Sequence, residues 1–297
     1  MLSDRMSDVL DLQQRLDQHG YIAERSLAAT LLLTLDMRRP LLLEGEAGVG
    51  KTEVAKALSR LSATRLIRLQ CHEGLDAHSA LYEWNYQHQL LAIKLMEQDD
   101  RPLSSKEQDI FSERYLLKRP LLEAITTTPA PVLLIDEIDR TDEAFEAYLL
   151  ELLSDFQISI PELGVIRAQE RPIVILTSNG TREISDALRR RCLYHYVDYP
   201  DFAKELMIVR AQAPAVPLKL AQQVVEFVQA VRQMDVQKKP GVAETLDWVA
   251  ALLRLGVTIF DEDGIDRIMD SLSTLVKTRE DQAGFTRSVV ERLAASC

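Results

Sequence analysis

Gly45, Gly48 and Gly50 fall within a span of six residues, and Lys51 and Thr52 follow at the start of a helical pattern. The run GEAGVGKT (Gly45, Glu46, Ala47, Gly48, Val49, Gly50, Lys51, Thr52) has the spacing G-x-x-x-x-G-K-[ST], with an apolar strand-like run before it and a helix after it. Glycines at these positions let the backbone curl with its amide hydrogens pointing inward, which suits a phosphate. The helix beginning near Lys51 adds the positive end of its dipole. Lys51 can reach β and γ phosphates, and the Thr52 hydroxyl can ligate Mg²⁺. A turn that binds nothing needs one or two glycines, not this spacing followed by Lys-Thr.

Three further groups could act with such a cradle. VLLIDE sets Asp136 and Glu137 at the carboxyl end of an apolar strand. An acid pair there is costly without a cation or hydrogen-bond donors. Asp136 would hold Mg²⁺ through water and Glu137 would polarise an attacking water. IVILTSN ends in Asn179, whose amide could orient that water or touch a γ-phosphate; alternatively it is a turn former before Gly180. SDALRRRC carries Arg189, Arg190 and Arg191. A guanidinium can stabilise charge on a transferred phosphoryl group, or the three cations can simply offset a helix dipole.

These groups need a scaffold, and the chain supplies one. Apolar runs at LLLEG (41–45), RLIRLQ (65–70), VLLIDE (132–137), IVILTSN (173–179) and CLYHYVDYP (192–200) read as strands. Helical patterns cover 21–37, 51–61 and 141–155, the last with Thr141 as N-cap. Buried strands alternating with helices predict an open parallel sheet covered on both faces. From Asp201 to Cys297 the pattern is helical throughout, which places a domain boundary near Asp201.

Composition narrows the chemistry. The 297 residues are 46% hydrophobic and 27% charged, enough for a substantial core in two domains. Net charge is -11, from 46 acids and 35 bases, so extended binding to a polyphosphate backbone is disfavoured. Cys71, Cys192 and Cys297 have no paired spacing, which fits a reducing compartment. No apolar run reaches the ~20 residues of a membrane span, and the acidic, amphipathic residues 1–20 lack a signal core. A cytoplasmic location is expected. His72 and His78, near Cys71, fit no zinc spacing, and Ser178 and Cys192 have no evident activating base.

The order of phosphate cradle, acid pair, polar strand end, arginine cluster and helical tail resembles that of an AAA+ ATPase, over nearly the whole chain. GEAGVGKT resembles Walker A, LLIDE resembles Walker B, Asn179 matches sensor 1, and ALRRRC is similar to the arginine-finger region of clamp loaders, with Arg191 as first choice and Arg190 as the alternative. LLIDEIDRTDEAFEAYLLELLSDFQISIPELG and ERYLLKRPLLEAI resemble the MoxR branch, the latter with Arg119 in place of a glycine. QCHEGLDAHSALYEWNYQHQLLAIKL and KPGVAETLDWVAAL are most similar to its CoxD type, linked to maturation of carbon monoxide dehydrogenase and related molybdenum hydroxylases.

The resemblance implies an α/β AAA+ P-loop core at 1–200, a three-layer αβα arrangement around a five-stranded parallel sheet, with an all-α lid at 201–297. It also implies an insert at about 72–95 and a hairpin at about 156–172. ATP and Mg²⁺ are the implied cofactors. The cofactor-binding segment is Gly45 through Thr52 with Glu53; Thr52 and Asp136 serve the metal, and Lys51, Glu137, Asn179 and Arg191 serve catalysis. The implied partners are further copies in a hexameric ring, an adaptor with a von Willebrand factor A domain, and an immature metalloenzyme as client, the protein acting like a chaperone. Nucleic acid is not expected, although a nucleic-acid motor is a rival, as is an activator of nitric oxide reductase or Rubisco. One departure stands out: the lid position where MoxR proteins carry a sensor 2 arginine is Ala243, with Lys238, Lys239 or Arg254 as the candidates to compensate. Tyr82, Trp84 and Tyr86 alternate, and would share one face if extended. That face would either pack into a core or line a pore.

Overall fold

The computed structural model describes residues 2–96, 102–261 and 264–297. Its contacts divide the chain into two compact units: one of residues 26–44 and 55–195, the other of residues 1–25, 45–54 and 196–297. The last segment of the second unit begins at Tyr196.

The first unit is built on a sheet. In chain order its early elements are α2 (Arg25–Met37), β1 (Leu41–Glu44), α3 (Lys51–Leu61) and β2 (Leu66–Gln70), preceded in the chain by α1 (Leu2–Gln18). An insert follows: α4 (Ala77–Ala80), β3 (Tyr82–Trp84), α5 (Tyr86–Leu95), α6 (Leu103–Ile110) and β4 (Leu116–Lys118). Then come α7 (Pro120–Thr126), β5 (Val132–Asp136), α8 (Glu143–Asp155), β6 (Gln157–Ile160), β7 (Gly164–Arg167), β8 (Ile173–Ser178), α9 (Asp186–Arg191) and β9 (Leu193–Tyr196). The sheet is a five-stranded parallel one, ordered β2-β5-β8-β1-β9. Its central strands are the continuous apolar runs of the sequence, and all five residues of β5 are buried, as a strand covered on both faces requires. Leu42, Leu133, Ile135, Val174 and Leu176 join the core with Phe145 and Leu149 of α8.

Several local expectations change. The N-cap of α8 is Asp142, whose carboxylate accepts the Phe145 amide at 2.8 Å, whereas the Thr141 hydroxyl turns back to the Ile138 carbonyl. Asp142 wins because an ionised carboxylate is the stronger acceptor at the positive end of a helix. The fifth strand is shorter than 192–200: Cys192 caps α9, and the extended pairing stops at Tyr196. The helix expected over 21–37 begins at Arg25. The three alternating aromatics do not share a face, because Tyr86 starts α5. Trp84 is 6% exposed and packs edge-on to Phe111 at 5.4 Å, while Tyr86 is 64% exposed. The hairpin forms as expected, with Gln157 opposite Arg167 and Ile160 opposite Gly164. The side chain of His78 lies outside the described residues.

The second unit is helical in its C-terminal part: α10 (Phe202–Gln212), α11 (Leu218–Gln233), α12 (Val242–Arg254), α13 (Ile265–Leu275), α14 (Arg279–Gly284) and α15 (Arg287–Ala295). Phe227, Trp248, Phe260, Ile268 and Leu272 form its core, with the Trp248 indole donating to Ser271 at 2.8 Å. A buried ion pair sits among the helices. Arg232 of α11 meets both oxygens of Glu205 of α10 at 2.6 and 2.7 Å, and Thr245 of α12 donates to the same carboxylate at 2.7 Å. Every partner is hydrogen-bonded, which is the condition under which such a pair is tolerated in a core.

Candidate functional site

Parallel pairing puts the carboxyl ends of β1, β5 and β8 at one edge, with Glu44 opposite Ser178 and Ile135 opposite Leu176. Open α/β sheets bind ligands at that edge. Asp136 closes β5, and Asn179 follows β8.

At this edge Thr177 organises the acid pair. Its hydroxyl donates to Asp136 Oδ1 at 2.5 Å and accepts the Glu137 amide at 2.9 Å. Arg68 of β2 reaches Asp136 Oδ2 through Nε at 3.0 Å and Nη2 at 2.5 Å. Asp136 is therefore a buried carboxylate with a donor on each oxygen. Glu137 sits in the left-handed region, φ 58° and ψ 50°. That conformation is costly for a residue with a Cβ, and such outliers concentrate at functional sites. It turns the Glu137 carboxylate out of the strand direction, where Arg140 Nε meets it at 2.9 Å.

Asp139 fixes the loop after β8. It is 3% exposed and accepts from both the amide and the hydroxyl of Thr181, at 3.0 and 2.7 Å. Burial pushes its pKa up, but the Thr181 bonds and the amides of Asn179 and of Asp139 itself outweigh this and hold it below the usual carboxylate range. The backbone of Asn179 is thus tied to the turn that follows the acid pair. Glu146 of α8 adds a second tie, accepting from Arg182 and from the Ser185 amide.

The three arginines of α9 differ. Arg189 pairs with Glu44 at 3.0 Å and lies over the Tyr194 ring. Arg191 donates to the Ser154 hydroxyl at 2.7 Å and to the Ala187 carbonyl at 3.1 Å. Arg190 is exposed, and its guanidinium has no hydrogen-bond partner among the described residues. Burial raises the Cys71 thiol to about 12, with Asp136, Asp139 and Glu137 adding to the rise, and burial raises Cys192 to about 12 against the opposing Arg39 and Arg191. Both are unreactive thiols at neutral pH.

The glycine-dense loop belongs to the second unit. Gly48 and Gly50 have φ of 80° and 95°, conformations that suit glycine. Lys51 is 6% exposed, and its ammonium donates to the carbonyls of Gly45 and Glu46 at 2.6 and 2.7 Å. A Cβ on Gly50 would meet nothing within 4 Å, whereas one on Gly45 would fall 2.1 Å from the Val197 carbonyl oxygen. The loop is thus packed at Gly45 and open at Gly50. Open space beside a glycine whose helix starts with Lys51 and Thr52 fits a phosphate group. The Thr52 hydroxyl in this unit and the Asp136 carboxylate in the other are each hard oxygen donors of the kind that Mg²⁺ takes.

Residues 40–192, just over half the chain, match the model of the AAA domain, dynein-related subfamily. The chain belongs to that family. The matched segment of this AAA protein spans the glycine loop, the acid pair, Asn179 and the arginine cluster. It is similar to an uncharacterized protein of Staphylococcus aureus (strain bovine RF122 / ET3-1), 28% identical over 227 residues that cover 74% of this chain and 78% of the relative. A second Staphylococcus aureus protein, from strain COL, is 27% identical over the same length and shares. Among solved structures, a point mutant of Thermotoga maritima RuvB aligns with a TM-score of 0.50 at 18% identity, covering 87% of this chain and 71% of that one. That likeness establishes the AAA+ fold. Among the described residues, no helix of this AAA protein is long and apolar enough to cross a membrane.

Reading the sequence alone missed Arg68, Thr177 and Arg140 as partners of the acid pair, and Asp139 as the acceptor that holds Thr181. Arg140 had a findable signal, since it falls in the turn that directly follows Glu137. Arg68 had none, because it acts across a strand pairing.

Proposed function

We propose that this AAA protein hydrolyses ATP with Mg²⁺ in a ring of like subunits and uses the energy to remodel a client protein. The observation that carries this reading is Glu137. A carboxylate held in a left-handed turn directly after a buried Asp, with its amide fixed by Thr177, is arranged for chemistry rather than for folding. In the proposed mechanism the inward amides of Gly45 through Thr52 and Glu53 bind the phosphates, and Lys51 exchanges its loop carbonyls for phosphate oxygens. Thr52 and Asp136 would hold Mg²⁺, which when bound neutralises charge on the phosphate oxygens. Glu137 accepts the proton of the attacking water, Asn179 orients that water, and ADP and phosphate leave. An arginine from a neighbouring copy completes the site. The intrachain bonds of Arg191 favour Arg190 for this role, since Arg190 reaches outward without giving up a bond.

The finer reading is a MoxR-type ATPase, most similar to the CoxD type, whose client is an immature metalloenzyme such as a molybdenum hydroxylase. An adaptor with a von Willebrand factor A domain and a hexameric ring belong to this reading, as does a cytoplasmic location. Its support is the run of phrases from Gln70 to Leu95 and from Lys239 to Leu252. Exposed Tyr86, Leu90, Leu91 and Leu95 on α5 are suited to gripping a client.

The deciding experiment measures phosphate release against protein concentration, with Mg²⁺ and ATP, for the wild type and Glu137→Gln. Turnover rising with assembly in the wild type, and its loss in Glu137→Gln with nucleotide still bound, is expected. Normal turnover in Glu137→Gln would remove the water-activating role, and absence of nucleotide binding in well-folded wild type would end the whole reading.

A further inference from the structure

Within the second unit, α12 touches the glycine loop directly, and it does so through backbone. The Val242 amide, first in α12, donates to the Gly48 carbonyl at 2.9 Å. One of the four helix amides that lack an intrahelical acceptor is thus satisfied by the loop. The approach is as close as two glycines allow. A Cβ on Gly241 would lie 2.7 Å from Gly48 Cα, 2.8 Å from its carbonyl oxygen and 2.9 Å from its carbonyl carbon, all backbone atoms. Gly241 has φ -83° and ψ -177°, which any residue adopts. It is therefore required for proximity, not for conformation.

The turn carrying Gly241 is held from behind. Arg232 donates from Nε to the Pro240 carbonyl at 2.8 Å while both its terminal nitrogens grip Glu205, and its guanidinium lies 4.8 Å from the Tyr199 ring centroid. Glu244 accepts the Gly241 amide at 3.0 Å, and Thr245 joins α12 to Glu205. Val197, two residues before Tyr199, packs its carbonyl against Gly45. Gly45 therefore packs on the Val197 backbone, and Gly48 on the turn that Arg232 holds.

We infer that Gly241 and Val242 are positioning residues for the phosphate loop: they clasp Gly48, and the Arg232–Glu205 pair makes the shape of the loop and the seating of α12 a single event. This rests on the phosphate-binding reading above. It also supplies what Ala243 cannot: where a sensor arginine was expected, a backbone clasp links loop to helix. Linkage makes the effect reciprocal, so a ligand that orders the loop must also quiet the first turns of α12.

The test uses the full chain, the fluorescent analogue mant-ADP with Mg²⁺, and hydrogen exchange over residues 242–250. Val242→Pro deletes the clasp bond while keeping the helix, because proline suits the first helical position and Gly241 is already extended. Gly241→Ser inserts a Cβ into the contact while improving the helix cap. Mant-ADP is expected to slow exchange over 242–250 in the wild type. Each variant is expected to bind it about tenfold more weakly, a change of about 1.4 kcal/mol, and at saturation to show no such slowing. Wild-type exchange over 242–250 that ignores bound nucleotide overturns the inference whatever the variants do. So does a folded variant that binds and protects as the wild type does. If the wild type binds nucleotide and only the coupling fails, the clasp falls alone; if the wild type binds none, the clasp and the phosphate-binding reading fall together.

Discussion

Replacing Thr177 by valine keeps the shape of a buried side chain and removes its hydroxyl. Two bonds go with it: the one donated to Asp136 Oδ1 and the one accepted from the Glu137 amide. A bond to a charged group is worth about 1.5–3 kcal/mol and a neutral one about 0.5–1.5 kcal/mol, so the loss is about 2–4 kcal/mol. For a unit of this size each kcal/mol moves the melting midpoint by about 2–4 °C, which gives a fall of about 5–15 °C. A second effect accompanies the first. Glu137 stays in its left-handed conformation only while its surroundings hold it, and the Thr177 bond is one of the holds. With that bond gone, Glu137 can relax, so turnover should fall more than nucleotide affinity. Thermal unfolding followed by circular dichroism reads the first effect, and phosphate release beside mant-ADP titration reads the second. Thr177→Ser keeps the hydroxyl and should recover most of both. A Thr177→Val protein that melts with the wild type and turns over normally would refute the assignment of Thr177 as organiser of the acid pair.

Other outcomes follow from the same geometry. Arg190→Ala should lower turnover of the assembled protein by about 10³-fold or more, the scale of an arginine supplied between subunits; Arg191→Ala should act mainly on thermal stability through Ser154, and the two are separated by comparing phosphate release with melting midpoints. Asp139 has its pKa depressed in the fold, so its contribution is complete above its unfolded value of about 4 and is lost as pH falls through the lower folded value. Acid titration of stability should therefore be shallower at that end in Asp139→Asn, which is less stable at neutral pH. Cys71 and Cys192, with thiols raised to about 12, should resist a thiol reagent at pH 8 in the native protein and react once it is unfolded; rapid native labelling of either would contradict their burial.

β1, β5 and β8 were legible because each is a short run of mostly apolar residues, and the helix following the glycine loop was legible at both ends. The residues that hold the site together were not. Arg68 reaches Asp136 because β2 lies beside β5, with Arg68 opposite Leu134, a pairing that no local pattern announces. Thr177 follows four apolar residues at the end of a strand, and its role depends on which strand lies next to it. Nothing in the segment around Gly241 records that Gly48 is its neighbour. Local patterns carried the elements, then, while the long-range contacts that aim the functional groups had to await the fold. Thr141 and Asp142 illustrate the local limit: both are good caps, and only the turn after Glu137 decides between them.

The left-handed Glu137 has a consequence for how this chain could drift. A sequence selected for thermostability alone would prefer glycine or asparagine at that φ and ψ, since a glutamate there costs on the order of 1–3 kcal/mol. Propagated for many generations under heat challenge and with no demand on turnover, a library of this gene should lose its acid at 137 early. The same library held to both demands should keep it and gather its stabilising changes elsewhere.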